Sequence, residues 1–302
     1  LKIIAAYAAC VLIWSTTWLG IKVSLAYVPP IAGAGFRFII AAVVLYAFAF
    51  AYRIDLRRTT PPLGVIVTLA LTMFGANYAL TYTAETHLSS GLVAVLFGTL
   101  PFFVFAFAHY MVGERAHRFT ILGALIALGG VAAISLSGGV RGDLLFILAA
   151  LTAAGFSGYA NVYLKKFADA EPLATLPPAM LLAGIVLSLA GVRFEGVDFA
   201  RAIAPASLAA IAYLALCGSA LAFYLNHWLL QRIDSGTMGL SALMIPVVAV
   251  VVGATLGHEA FGVRDILGAL LVVIGVGLSF ISPRTTRSRY LPNNHPSRRK
   301  CA

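Results

Sequence analysis

Charge is what this sequence has least of. Of its 302 residues only 11% are Asp, Glu, Lys or Arg, against 61% hydrophobic, and the mean hydropathy is +0.95. A soluble domain of this length needs a far larger charged share to stay in water, so one large soluble core is excluded. Acidic residues are scarcer still: the eleven present all fall in predicted loops or at predicted helix ends. Ion-coupled pumps commonly bury a carboxylate to carry the ion, so this absence favours passive, gradient-driven exchange over strict proton antiport. The three cysteines, Cys10, Cys217 and Cys301, show no metal or disulfide spacing, and no metal or other cofactor is expected. Neither a His-Glu-x-x-His pattern nor a Walker-type loop occurs. Nor does the net charge of +10 point to nucleic acid. Six of the 21 basic residues lie after Pro283 in the tail SPRTTRSRYLPNNHPSRRKCA, which has no apolar face. Residues 283–302 are expected to be a disordered, solvated cytoplasmic tail near anionic lipid.

What the chain does have is a succession of apolar runs, each long enough to cross a ~30 Å hydrocarbon core as a helix. Turn and charge signals predict ten transmembrane helices over 3–26, 31–52, 62–85, 89–112, 118–137, 143–165, 172–192, 205–230, 235–257 and 263–282. The first run is too long for a signal-peptide core, and no A-x-A-like cleavage site follows it. None of the loops between runs could hold a soluble domain. Fifteen basic residues cluster at one set of helix ends and five at the other, with Arg37 inside the second span. The positive-inside rule then places both termini in the cytoplasm of a cell inner (plasma) membrane.

Sliding the chain against itself by 145 residues aligns Ser90-Gly91 with Ser235-Gly236, Pro101 with Pro246 and Glu114 with Glu259. The same offset lays ILGAL at 121–125 on ILGAL at 266–270, and Gly130 on Gly275. Earlier positions agree more loosely at 142, with Trp14-Ser15 answering Phe156-Ser157 and Pro30 answering Pro172. Residues 1–137 and 142–282 are therefore read as two copies of one five-helix unit. An odd number of helices makes the second copy enter the membrane from the opposite face. The expected fold is an all-α membrane protein, two inverted five-helix repeats around a central cavity, an architecture suited to alternating access.

On these residues the chain resembles the drug/metabolite transporter superfamily, specifically its EamA-type members. The carriers of the likeness are the Pro30-to-Arg37 spacing in PPIAGAGFRFIIAA, the prolines of the fourth and ninth helices, and Gly113-Glu114 in GERAHRFTILGAL. The second copy departs from the pattern with His258-Glu259 and with Ala179 at the position of Arg37. The resemblance implies a membrane transporter, with the YddG-type amino-acid exporters nearest in length and cavity chemistry.

Polar side chains inside spans are costly and usually face the bundle or a cavity. Candidates for the cavity wall are Trp14, Ser15, Thr17 and Trp18 in the first span, and Asn77, Tyr78 and Tyr82 in the third. In-span polar and aromatic residues in the sixth are Tyr159, Asn161 and Tyr163, and in the eighth Tyr224, Asn226, His227 and Trp228. Tyr163 and Trp228 suit an interfacial belt, and Tyr159, Asn161, Tyr224 and His227 complete the wall set. The competing assignment is to interfacial belt aromatics and helix-to-helix hydrogen bonds. Arg37 and Lys22 are the candidates for a substrate carboxylate, although such residues more often snorkel to the headgroups. An apolar cavity with a few amides and hydroxyls suits small amphipathic metabolites, aromatic or neutral amino acids above all, moving out of the cell. A proton-coupled drug/metabolite antiporter is the alternative. A remote one is an intramembrane serine protease, from Gly155-Phe156-Ser157-Gly158 with His227 as base; Ser157 has a repeat partner in Ser15, and no enzyme is expected. Small-molecule substrate and membrane lipid are the expected partners, and no oligomer is required. Finally, Pro101 and Pro246 release the carbonyls of Phe97 and Ala242 near mid-span, which reads as a paired hinge rather than an isolated packing kink.

Overall fold

The structure, a computed structural model, describes residues 1–88, 90–135, 144–167, 169–245, 247–248 and 263–281. Pro246, His258, Glu259 and the tail expected over 283–302 lie outside the described residues. Every regular element among the described residues is helical. Helices satisfy their own backbone hydrogen bonds, which is what a solvent of hydrocarbon demands.

The first half comprises α1 (Lys2–Leu25), α2 (Pro30–Ala51), α3 (Leu63–His87), α4 (Ser90–Phe97), α5 (Leu100–Met111) and α6 (Arg118–Ser135). The second comprises α7 (Leu144–Lys166), α8 (Pro172–Phe194), α9 (Pro205–Leu230), α10 (Ser235–Ile245) and α11 (Val263–Ile281). Of these, α1, α2, α3, α7, α8 and α9 are long and apolar enough to cross a membrane. Proline opens α2, α8 and α9, where a missing N–H costs nothing because the first turn has no acceptor for it. Leucines such as Leu12, Leu19, Leu71 and Leu189 stand exposed on the outer faces, as lipid-facing positions do.

The span expected over 89–112 is not one kinked helix. The chain breaks at a turn through Gly98 and Thr99, and Pro101 falls in the first turn of α5. The proline therefore starts a helix instead of bending one, and its absent N–H is again an orphan of the first turn.

Two helix pairs make the largest contacts, α6 with α11 and α2 with α8. Both are closed by backbone against backbone. A Cβ added at Gly123 would overlap the Gly275 carbonyl, one at Gly275 would overlap the Gly123 carbonyl and Ala127, and one at Gly130 would overlap the Gly268 carbonyl. Early residues of α6 thus meet late residues of α11 and vice versa, so the helices run antiparallel. The shared ILGAL and the Gly130/Gly275 pair are explained: they are the two faces of one self-complementary crossing. In α2 and α8 the same device recurs, with Gly35 on Ser188, Gly184 on Ile39 and Gly191 on Ala32. Small residues let helices approach where hydrophobicity gives no drive to associate.

α3 and α9 each contain a π-helical stretch, Ala70–Ala76 and Leu216–Leu221. The 145-residue offset lays one on the other, so the copies share a local irregularity as well as glycines. Wider π turns recur at functional sites.

The α6–α11 crossing yields a prediction. Gly123→Ala is expected to cost about 1–3 kcal/mol through overpacking, read as a lowered Tm in detergent. Gly129→Ala, where an added Cβ meets nothing within 4 Å, is expected to leave Tm unchanged or slightly raised.

Candidate functional site

A cavity of about 120 Å³ lies between the two halves. On α1 the stripe Trp14, Thr17, Trp18 and Ile21 faces it, the i, i+3, i+4, i+7 spacing of one helix side. α2 contributes Arg37, α3 contributes Asn77, Tyr78 and Thr81, and the α4–α5 break contributes Phe97 and Leu100. From the second half come Ser157 and Asn161 on α7, Phe223 and Asn226 on α9, and Met238, Gly239, Ser241, Ala242 and Ile245 on α10. No carboxylate stands among these lining residues.

Arg37 is the chemical centre of the wall. Gly35, one side of the same helix, is pressed on α8; two residues on, a rotation of about 200° turns Arg37 the other way, into the bundle. Its side chain is 1% exposed. Nε donates to Ser219 Oγ (2.6 Å), Nη1 to Tyr82 OH (3.2 Å) and Nη2 to the Gly218 carbonyl (3.0 Å). Gly218 and Ser219 belong to the π stretch of α9, which the guanidinium therefore joins to α2. The rings of Tyr78 and Phe38 lie 4.9 and 5.5 Å from its central carbon. An arginine has five N–H donors. Its hydrogen-bond acceptors here are all neutral; Glu85, three residues past Tyr82 on α3, interacts with it electrostatically without a hydrogen bond between them. Snorkelling, the commoner fate of a span arginine, does not occur here. Lys22 differs: it stands exposed near the end of α1, away from the cavity.

The other expected wall residues divide. Trp14, Thr17, Trp18, Asn77, Tyr78 and Asn161 line the cavity, and so do Phe97 and Ala242, which were expected at the hinge. Tyr82 stands behind it, fully buried, holding Arg37. Ser15 is turned back to the Val11 carbonyl at 2.6 Å. Tyr159 packs on Phe107 and Tyr163. Tyr224 packs against the main core, and His227 is fully buried next to the wall residue Asn226. Pro101 is buried just beyond Leu100.

The expectation for α9 is one position off. Thr81 and Asn226 are related by the 145 offset, as are Tyr78 and Phe223, and all four line the cavity. At that offset Tyr78 selects Phe223 rather than Tyr224 and Tyr82 still selects His227, whereas Asn226 answers Thr81. The clamp at Gly218 and Ser219 carries no comparable sequence signal.

The end of the bundle at which the chain begins is held shut by contacts between the copies. Glu114 Oε2 accepts hydrogen bonds from Ser235 N at 3.0 Å and from Ser235 Oγ. Asp234 caps α10 by accepting from Thr237 N at 2.6 Å, and Tyr7 OH donates to the Thr237 carbonyl at 3.1 Å. Lys165 Nζ, 5% exposed, donates to the Leu230 and Ile233 carbonyls at 2.5 and 2.8 Å. The Ser and Glu that recur at matching spacings in the sequence thus meet across the halves. Burial pushes the Glu114 carboxyl above its ordinary range, against the lowering effects of Ser235 and Lys165.

The decisive comparison is with families of known type: the model of the EamA-like transporter family matches residues 1–136 and 141–281. The chain belongs to the EamA-like transporter family. Among individual relatives, this transporter is 27% identical to an "Uncharacterized transporter YoaV" of Bacillus subtilis, over 91% of this chain and 95% of the relative. It is 27% identical to an "Uncharacterized inner membrane transporter YedA" of Escherichia coli, over 92% and 90% of the two chains. A Salmonella typhimurium protein named "Probable amino-acid metabolite efflux pump" is 24% identical over 92% and 94%. A solved structure described only as "Crystal structure of protein" superposes with a TM-score of 0.81 at 21% identity, over 93% of this chain and 96% of its own, which shows the fold.

Loss of Glu114 is expected to loosen the closed end. Glu114 takes two hydrogen bonds from Ser235, each worth ~0.5–1.5 kcal/mol net, so Glu114→Ala should raise amide exchange at the start of α10 about tenfold. The pH sign follows from the raised value. The contact raises the proton affinity of the Glu114 carboxyl, so closure is strongest at low pH and weakens as pH rises through that raised value. Hydrogen exchange of wild type across pH, corrected for intrinsic rates, checks this; Glu114→Gln should flatten the profile.

Proposed function

We propose that the protein moves small amphipathic carboxylates, aromatic and neutral amino acids above all, out of the cell by alternating access. The observation that carries this reading is Arg37: a buried cation at the wall of an aromatic and amide-lined cavity, with only neutral hydrogen-bond partners. Glu85 on α3 interacts with the guanidinium electrostatically without bonding it, and a substrate carboxylate supplies a direct charged partner. An Arg fork can take both carboxylate oxygens, and the surrounding rings accommodate an apolar side chain. The name of the Salmonella relative, a probable amino-acid metabolite efflux pump, agrees with this class.

The architecture in this reading is ten spans in two inverted repeats, with both termini cytoplasmic in the inner membrane. The antiparallel crossing of α6 and α11, related by the 145 offset, supports the inversion. So do the two stretches at which the family model matches. The end joined at Glu114–Ser235 is then the cytoplasmic face, and the break before Pro101 is where one gating helix pivots, with Pro246 as its counterpart by the repeat. No carboxylate stands among the lining residues, although Glu85 lies partly buried within electrostatic range of Arg37, and a facilitator or exchanger is the reading put to the test against proton antiport.

Counterflow in liposomes tests each element. Phenylalanine flux is expected to persist without a pH gradient, whereas strict dependence on the gradient would establish the antiporter instead. Wild type should prefer phenylalanine over its uncharged-carboxyl analogue phenylalaninamide, and Arg37→Leu should lose that preference by about tenfold or more, the scale of a charge-assisted hydrogen bond. Replacing Pro101 and Pro246 together by alanine is expected to reduce flux more than it lowers Tm.

A further inference from the structure

Asn226 presents an acceptor whose direction its neighbours fix. The Ser157 carbonyl can only accept, so Asn161 points its Nδ2 at it, at 2.9 Å, and its Oδ1 towards α9. Asn226 answers with its own Nδ2, 3.1 Å from Asn161 Oδ1. The amide orientation of both residues follows from this relay. What remains is Asn226 Oδ1, which has no donor among the described residues although the side chain is 0% exposed. A buried acceptor left unpaired costs ~1–3 kcal/mol and calls for an explanation. Asn226 belongs to the cavity wall, so an occupant of the cavity can bring the donor.

Its distance from Arg37 says which donor. Arg37 is docked on Gly218 and Ser219, and Asn226 lies two helical turns further along α9. At 1.5 Å of rise per residue the separation along the axis is roughly 10 Å. An α-ammonium sits on the carbon that bears the carboxylate, so with that carboxylate on Arg37 it falls short of Asn226. A donor at the far end of a rigid aromatic side chain does not. The wall between the two residues is itself aromatic: Tyr78 lies 4.9 Å from the guanidinium, and Phe223 packs 6.3 Å from Tyr78.

We propose that Asn226 is a specificity-determining residue, its Oδ1 accepting a hydrogen bond from the phenol O–H or indole N–H of an aromatic amino acid whose carboxylate rests on Arg37. This rests on the transport reading above and narrows it to aromatic side chains with a polar tip. A site built to bond a substrate hydroxyl rejects the analogue lacking it, because the site's own polar group is then left buried and unpaired.

Counterflow of tyrosine and phenylalanine into the same liposomes tests the idea on the wild-type protein directly. A tyrosine preference of about tenfold is expected. Asn226→Leu should bring the tyrosine-to-phenylalanine ratio to about one, while Asn226→Asp, which keeps an acceptor at the same place, should retain a preference. Asn161→Leu, which frees the amide of Asn226 to turn, should lower the ratio too and covers the case in which Asn226→Leu does not fold. Equal wild-type transport of the two amino acids, or a ratio unchanged in Asn226→Leu, overturns the assignment and leaves the transport reading standing. Transport of neither amino acid overturns both.

Discussion

The crossing of α2 on α8 is the constraint from which the site follows. Ala32, Gly35 and Ile39 form one side of α2, and each meets α8 at backbone distance through Gly191, Ser188 and Gly184. A helix seated that closely cannot roll about its axis. Arg37 lies on the other side, so its charge is committed to the interior before any partner is considered. The partners then follow from geometry: the π stretch of α9 offers Gly218 and Ser219, and α3 offers Tyr82. Removing any one leaves a buried guanidinium with an N–H unsatisfied, which is costly in a medium with no water to substitute.

The two halves use the same parts for different ends. The α6–α11 crossing is symmetric, glycine for glycine, because both helices present the repeated motif to each other. The cavity wall is not. Tyr78 and Thr81 correspond to Phe223 and Asn226 at the 145 offset, and Arg37 to Ala179 at 142. The scaffold thus repeats where the lining does not. The Glu114–Ser235 contact belongs to the scaffold class, since both of its residues recur in the other copy.

Much of this is legible in the sequence, for physical reasons. Apolar runs bounded by proline and charge mark the helices closely, α2, α8 and α9 beginning within a residue of their expected starts. Repeated glycines mark the tight crossing, because only a missing side chain permits it. The stripe of α1 is readable as one helix face. In α9 the reading slips: residue type selects Tyr224 and His227, whereas Phe223 and Asn226 reach the cavity. The π stretches explain why periodicity could not arbitrate, since a 3.6-residue count carried through a wider turn assigns the wrong face to everything beyond it. Pro101 reads as a kink in isolation, and the neighbouring Gly98 and Thr99 convert it to a helix start.

Those two π stretches act as phase shifters. Before the first, α3 presents Val65, Ile66 and Leu69 to the core; after it, Asn77, Tyr78 and Thr81 look into the cavity. The inserted residue is what lets one continuous rod serve two neighbours whose directions differ by something other than a whole helical step. In evolutionary terms the lining of such a protein has two kinds of variation open to it. Substitutions at Tyr78 or Asn226 edit the chamber one group at a time. Loss of a single residue from either wide turn would rotate every following side chain at once and exchange the whole inner face for another.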